Sequence, residues 1–283
     1  MAPGRSEALL AGLSAEAKSS LAAKKVYFGH QSVGYDIVKG IEDLLDRDPT
    51  LGIRIIETGD PEALGAACFA HSKSGVNKQP WVKIEAFEKA LDSGLGGRAD
   101  IAFFKFCYVD FTPDTDLAKL FNDYKATMAG LRQRHPGTNL AHVTVPLTTV
   151  EAGPKAWAKR ILRRPLAGVR ENVIRSRFND MLRAEYVGKE PIFDLASVES
   201  TYPDGSRRSF TRDGTSYPAL IAGYSHDGRH LNEVGRQWVA AHLLKFLAEL
   251  PTNAASPPIG SAHVLDVGGG GAPAAPRGAR QEG

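Results

Sequence analysis

Ile101-Ala102-Phe103-Phe104 is an apolar run with no polar break, entered from Asp100 and left through Lys105 and Phe106. A strand wet on one face would alternate apolar and polar residues. A run that is apolar at every position predicts a strand covered on both faces, as in a parallel sheet. Further short runs occur at Lys24–Phe28, Ile53–Ile56, Asn139–Val145 and Pro191–Leu195. Helical spacing separates or follows them, at Ile37, Ile41, Leu44 and Leu45, and over Trp81–Leu91, Asp114–Arg134, Val169–Tyr186 and Leu231–Leu250. This alternation predicts an α/β fold, a three-layer α/β/α sandwich around a central, mainly parallel five-stranded sheet of flavodoxin-like type. In such a fold the chemistry belongs on loops at the carboxyl ends of the strands.

The chain has 283 residues, enough for one sizeable domain, and its 42% hydrophobic and 24% charged residues exclude a fibrous or wholly disordered protein. Residues 6–23 read as an Ala-rich surface helix, so 1–23 is expected to be an N-terminal helical extension on a domain spanning 24–250. Residues 251–283 are rich in Gly, Ala and Pro and predict a disordered tail. The net charge is only +3, and the densest basic cluster, Lys155, Lys159, Arg160, Arg163 and Arg164, lies in an irregular Pro-bounded insertion at 148–167. No nucleic-acid motif accompanies it; it reads as a solvated face, and no nucleic-acid partner is expected. Cys68 and Cys107 lack metal-ligand spacing and read as buried, reduced thiols. No apolar run approaches the roughly 20 residues that cross a bilayer. Leu9, Leu10 and Leu13 are followed at once by acids and lysines, a poor signal peptide. A cytoplasmic location is therefore expected, with the periplasm or secretion as the alternative. Oligomeric state is not legible.

Three loops fall where chemistry is expected. Gly29-His30-Gln31-Ser32-Val33-Gly34 follows the first strand and opens a helix. Backbone N–H groups and the helix dipole there favour a developing oxyanion, though a serine at this position is also an ordinary helix cap. Ser225-His226-Asp227-Gly228-Arg229-His230 precedes the last helix. A nucleophilic serine needs a base and the base needs an orienting carboxylate; Asp227 can reach the His230 imidazole across one loop turn. Ser72-Lys73-Ser74-Gly75-Val76-Asn77 offers a glycine whose N–H could face an oxyanion.

Together these loops resemble the GDSL/SGNH hydrolase family, over about residues 24–250. The most specific match is Asp227-Gly228-Arg229-His230-Leu231-Asn232 with Gly235; Ser32 after the first strand comes next. The resemblance implies an acyl-ester hydrolase, working without metal or organic cofactor, with Ser32 as nucleophile, His230 as base, Asp227 as its orienting acid and Gly75 as an oxyanion donor. It implies a small-molecule or glycan ester as substrate, with an acyl group on a carbohydrate the leading expectation. An inactive acyl-glycan-binding protein and an O-acyltransferase on the same fold are the alternatives.

Two departures stand out. The family serine usually follows Gly-Asp, whereas Ser32 follows His30-Gln31. The family's third block usually reads Gly-x-Asn-Asp, whereas this chain has Cys107-Tyr108-Val109-Asp110, so the oxyanion asparagine is missing. Asn77 and Lys105 are the expected substitutes, with pairing to Asp110 as the other reading of Lys105. His30 is either a substrate contact or a satisfied loop histidine, and a metal site built from His30, His71 and His230 has no supporting spacing.

Overall fold

The structure, a computed structural model, describes residues 4–162 and 164–252. The 253–283 portion of the expected tail lies outside the described residues.

Two short helices, α1 (Gly4–Ala11) and α2 (Ala15–Ala22), precede strand β1 (Lys25–His30) and helix α3 (Val33–Arg47). The chain continues through β2 (Ile55–Glu57), β3 (Cys68–Lys73), α4 (Pro80–Asp92), β4 (Ile101–Phe104), α5 (Leu117–Arg134) and β5 (Asn139–Leu140). It is completed by β6 (His142–Val143), α6 (Pro154–Ile161), α7 (Val169–Tyr186), β7 (Ile192–Phe193), α8 (Leu195–Ser200), the hairpin β8 (Ser209–Arg212) and β9 (Thr215–Pro218), and α9 (Glu233–Glu249). Five strands form a parallel sheet in the order β2-β3-β1-β4-β5.

Side-chain alternation along the strands splits the core in two. Val26, Phe28, Phe69, Ile101 and Phe103 point to one face and pack with buried residues of α3, α8 and α9. Tyr27, Cys68, Ala70, Ala102 and Phe104 point to the other and pack with α4, α5 and α7. Both cysteines are buried and unpaired. The three-layer α/β/α arrangement is thus the one the apolar runs predict.

Particular elements differ. Cys68–Lys73 is a central strand that the sequence reading missed, because His71 and Ser72 break its apolar run. These polar groups are satisfied inside: Ser72 Oγ lies 2.8 Å from the Tyr27 hydroxyl and His71 Nδ1 lies 3.1 Å from His30 Nε2. The expected fifth strand at Pro191–Leu195 is reduced to β7 and pairs with β6 instead of the five-stranded sheet. The expected N-terminal surface helix is two helices, and Leu10 and Leu21 are buried in the same core as α9. That core also surrounds α9, which is buried at most of its positions. Lys24 caps its end, donating to the Leu247 and Ala248 carbonyls at 2.7 and 3.1 Å. The insertion at 148–167 contains helix α6. Among the described residues no helix is long and apolar enough to cross a membrane.

After β1 the chain runs outward to β2, returns to β3, then passes β1 to reach β4. The loops after β3, β1 and β4 therefore meet at neighbouring carboxyl ends, where the sheet order switches.

Candidate active site

Ser32 occupies the turn between β1 and α3 with φ 54° and ψ −118°. A non-glycine residue in this region carries strain of about 1–3 kcal/mol. Ser32 makes no side-chain cap to α3. Its Oγ lies 2.8 Å from His230 Nε2 instead, across 198 positions of sequence. On the other side of the imidazole, His230 Nδ1 is 2.7 Å from Asp227 Oδ2. A proton on Nδ1 leaves Nε2 as acceptor for the serine hydroxyl.

The loop carrying these two residues is tied down at every point that matters. Asp227 Oδ1 accepts from the backbone N–H groups of Arg229 and His230, at 2.8 and 2.7 Å. Ser225 Oγ donates to the His230 carbonyl at 2.7 Å, and Leu231 N donates to Asp36 Oδ2 on α3 at 3.0 Å. Asn232 then caps α9 by accepting from Gly235 N. Partial burial acts to raise the Asp227 carboxyl, but the hydrogen bonds from the His230 side chain and backbone and from Arg229 N–H outweigh it and hold it well below the usual carboxylate range. The side chains of His230 and Asp227 are 33% and 39% exposed, so the site opens to solvent.

The loop after β3 closes the other side. Gly75 has φ 66°, and an added Cβ would strike the Lys83 backbone, so the turn requires glycine. Gln31 Nε2 donates to the Ser74 carbonyl at 3.0 Å and also to the Gly75 carbonyl, clamping this loop beside the serine. Neither Ser32 N–H nor Gly75 N–H has a protein acceptor among the described residues.

Of the remaining expected residues, Lys105 and His30 are buried and Asn77 is exposed. Lys105 is 1% exposed and donates to the Gln31 and Phe106 carbonyls at 2.9 and 3.3 Å, so its charge braces the serine turn from below. It does not pair with Asp110, whose partner is Lys83 at 2.6 Å. Asn77 is exposed and its Oδ1 accepts from Lys83 Nζ at 3.0 Å. His30 is fully buried against Phe28, Tyr35 and His71, out of reach of a substrate; burial first, then the charges of Lys105 and His71, keep it neutral. His30 and His71 do not gather with His230, which lies against Ser32. His226, Asp227 and His230 do bring ligand-type atoms within 4.8 Å of one another, with two of the three residues exposed. Asp227 and His230 are already joined there, so a metal would have to displace that contact.

Two groups went unrecognised in the sequence. Tyr108, from the turn after β4, is 6% exposed; its ring stands edge-on to the His230 ring at 5.8 Å between centroids. Burial raises its hydroxyl pKa, opposed by the charge of Arg229 and by the nearby Ser32 side chain. Arg175 holds it in place: Nε donates to the Tyr108 carbonyl at 3.0 Å, and the guanidinium lies 5.7 Å from the ring centroid. Gln31 is the second, and its place directly before Ser32 was the available signal.

No family model and no curated protein matches this sequence. Among solved structures, the chain is similar to a GDSL-like lipase from Bacteroides thetaiotaomicron, at 14% identity and TM-score 0.47, over 86% of this chain and 97% of that one. It is also similar to an acetyl xylan esterase, at 15% identity and TM-score 0.43, over 77% of this chain and 97% of that one.

Proposed function

We propose that the protein hydrolyses acyl esters through Ser32, His230 and Asp227, with an O-acyl group on a carbohydrate as the substrate. The single observation that carries this reading is the unbroken chain of contacts from Ser32 Oγ through the imidazole to the Asp227 carboxylate, 2.8 and then 2.7 Å.

Ser32 Oγ attacks the ester carbonyl while His230 Nε2 takes its proton. Asp227 fixes the imidazole tautomer and stabilises the imidazolium. The carbonyl oxygen becomes an oxyanion, met by the unengaged N–H groups of Ser32 and Gly75. The Tyr108 hydroxyl supplies the third donor in place of the missing asparagine. His230 returns the proton to the leaving alcohol, and water, deprotonated by the same imidazole, releases the acid from the acyl-enzyme. Preorganisation comes from the strained serine turn, braced by Lys105, and from the Gln31 clamp on the 74–75 loop.

The test is hydrolysis of an activated acetyl ester by the Ser32→Ala variant. Turnover should vanish with circular dichroism unchanged; retained turnover at the wild-type rate overturns the assignment.

A further inference from the structure

Two features of the sequence stand outside this chemistry: the basic insertion at 148–167 and the stretch 200–225, which bears Arg207, Arg208, Arg212, Phe210 and Tyr217. In the structure they border the same cavity, of about 400 Å³. Arg164, Arg170 and Arg212 line it together with Val150, Leu166 and Phe210. Arg164 and Arg170 have no carboxylate within ion-pair reach among the described residues. Among the described residues the ion-pair partner of Arg212 is Asp213, whose side chain is 89% exposed. The guanidinium is a planar fork of donors that matches carboxylate and phosphate oxygens. Val169 and Arg170 open α7, and its cap, Gly168, offers no side-chain acceptor, so the positive end of that helix adds to the field.

The cavity adjoins the hydrolytic loop. Thr149 N donates to the Gly228 carbonyl, beside Asp227, at 2.9 Å, and the next residue, Val150, is in the cavity wall. From the far side Gly168 packs so closely that an added Cβ would strike the Thr149 carbonyl. One stretch of backbone therefore separates the arginine cavity from the Asp227 loop. Its apolar wall includes Phe210, whose ring stacks with that of Tyr217 at 5.8 Å between centroids.

We infer that this cavity binds a carboxylate or phosphate group on the sugar that carries the ester, so that the substrate is an acidic acylated carbohydrate. The role as a substrate subsite rests on the hydrolase reading; the binding itself does not.

The experiment is calorimetric titration of the wild-type chain with three probes that cannot be turned over: hexagalacturonate, glucose 6-phosphate and neutral xylohexaose. At least one anionic probe should bind about tenfold or more tightly than xylohexaose, and high salt should weaken it. The anion that binds identifies whether carboxylate or phosphate is read. An Arg170→Gln/Arg212→Gln variant should lose about tenfold or more of that affinity, with its melting temperature confirming the fold. Arg170→Lys/Arg212→Lys should recover part of it, since charge is kept while the fork is lost. Equal affinity for neutral and anionic probes, no binding of either anion, or an unchanged affinity in the Gln variant overturns the inference. Binding of an anion by a chain that cleaves no ester would leave the cavity standing and remove the hydrolase reading. Ester cleavage without anion binding would do the reverse.

Discussion

Lys83 Nζ lies 2.6 Å from Asp110 Oδ2, and both side chains are closed off from solvent. The same carboxylate accepts from Cys107 N at 2.6 Å and Lys78 N at 2.8 Å, while Lys83 also donates to Asn77. One ion pair thus joins the turn that presents Tyr108 to the loop that presents Gly75. Lys83→Met leaves the carboxylate buried without its cation and should cost about 3–5 kcal/mol in urea unfolding. Adding Asp110→Leu should recover much of that loss, because neither charge is then stranded.

Tyr108→Phe keeps the ring against His230 and deletes only the hydroxyl. As an oxyanion donor acts mainly in the transition state, kcat should fall about 10²–10³-fold with little change in KM. Steady-state kinetics on an activated acetyl ester decide the matter. A kcat equal to wild type would exclude Tyr108 from the oxyanion hole.

Asp227→Asn preserves shape but removes the charge that holds the imidazole in its working tautomer. The expected loss is about 10⁴-fold in kcat, read by steady-state kinetics on the same ester. Because the Asp227 carboxyl is held below the usual carboxylate range, it stays ionised across the neutral and mildly acidic range, and lowering the pH through that range should leave its charge in place.

Glu199 is fully buried; burial raises its pKa to about 8, against the Leu147 N–H bond and the charges of Lys105 and Arg175. A carboxyl raised in the folded state favours the protonated form. Its stabilising contribution is complete below the ordinary carboxylate pKa and is lost as pH rises to about 8. Melting temperature should therefore fall between about pH 5 and pH 8, reflecting up to a few kcal/mol. Glu199→Gln, an isosteric neutral group, should flatten that slope, and an unchanged slope would assign it to other residues.

The layered fold was legible because both-face burial leaves continuous apolar runs: Ile101–Phe104 is strand β4 with each residue buried. Strand β3 escaped because its interior carries His71 and Ser72, whose partners, His30 and Tyr27, come from the neighbouring strand and are invisible locally. Ser32, Asp227 and His230 could be named from the residues around them, yet the sequence could not bring them together; that required the β1 turn and the α9 entry to share one end of the sheet. Tyr108 gives no local signal, because a buried phenol standing where an asparagine is expected looks like an ordinary core residue. Lys105 looked available as a donor, but the Gln31 and Phe106 carbonyls engage its ammonium, while Asn77 turns its amide oxygen to Lys83, and such contacts leave no trace in sequence.

In the proposed reaction Ser32 is a nucleophile activated by His230. A fluorophosphonate probe, followed by mass spectrometry of the digested protein, tests it directly. The expected result is one adduct on Ser32, present in wild type and strongly reduced in His230→Ala. An unlabelled Ser32 in the folded wild-type chain, or labelling that is indifferent to His230, would contradict it.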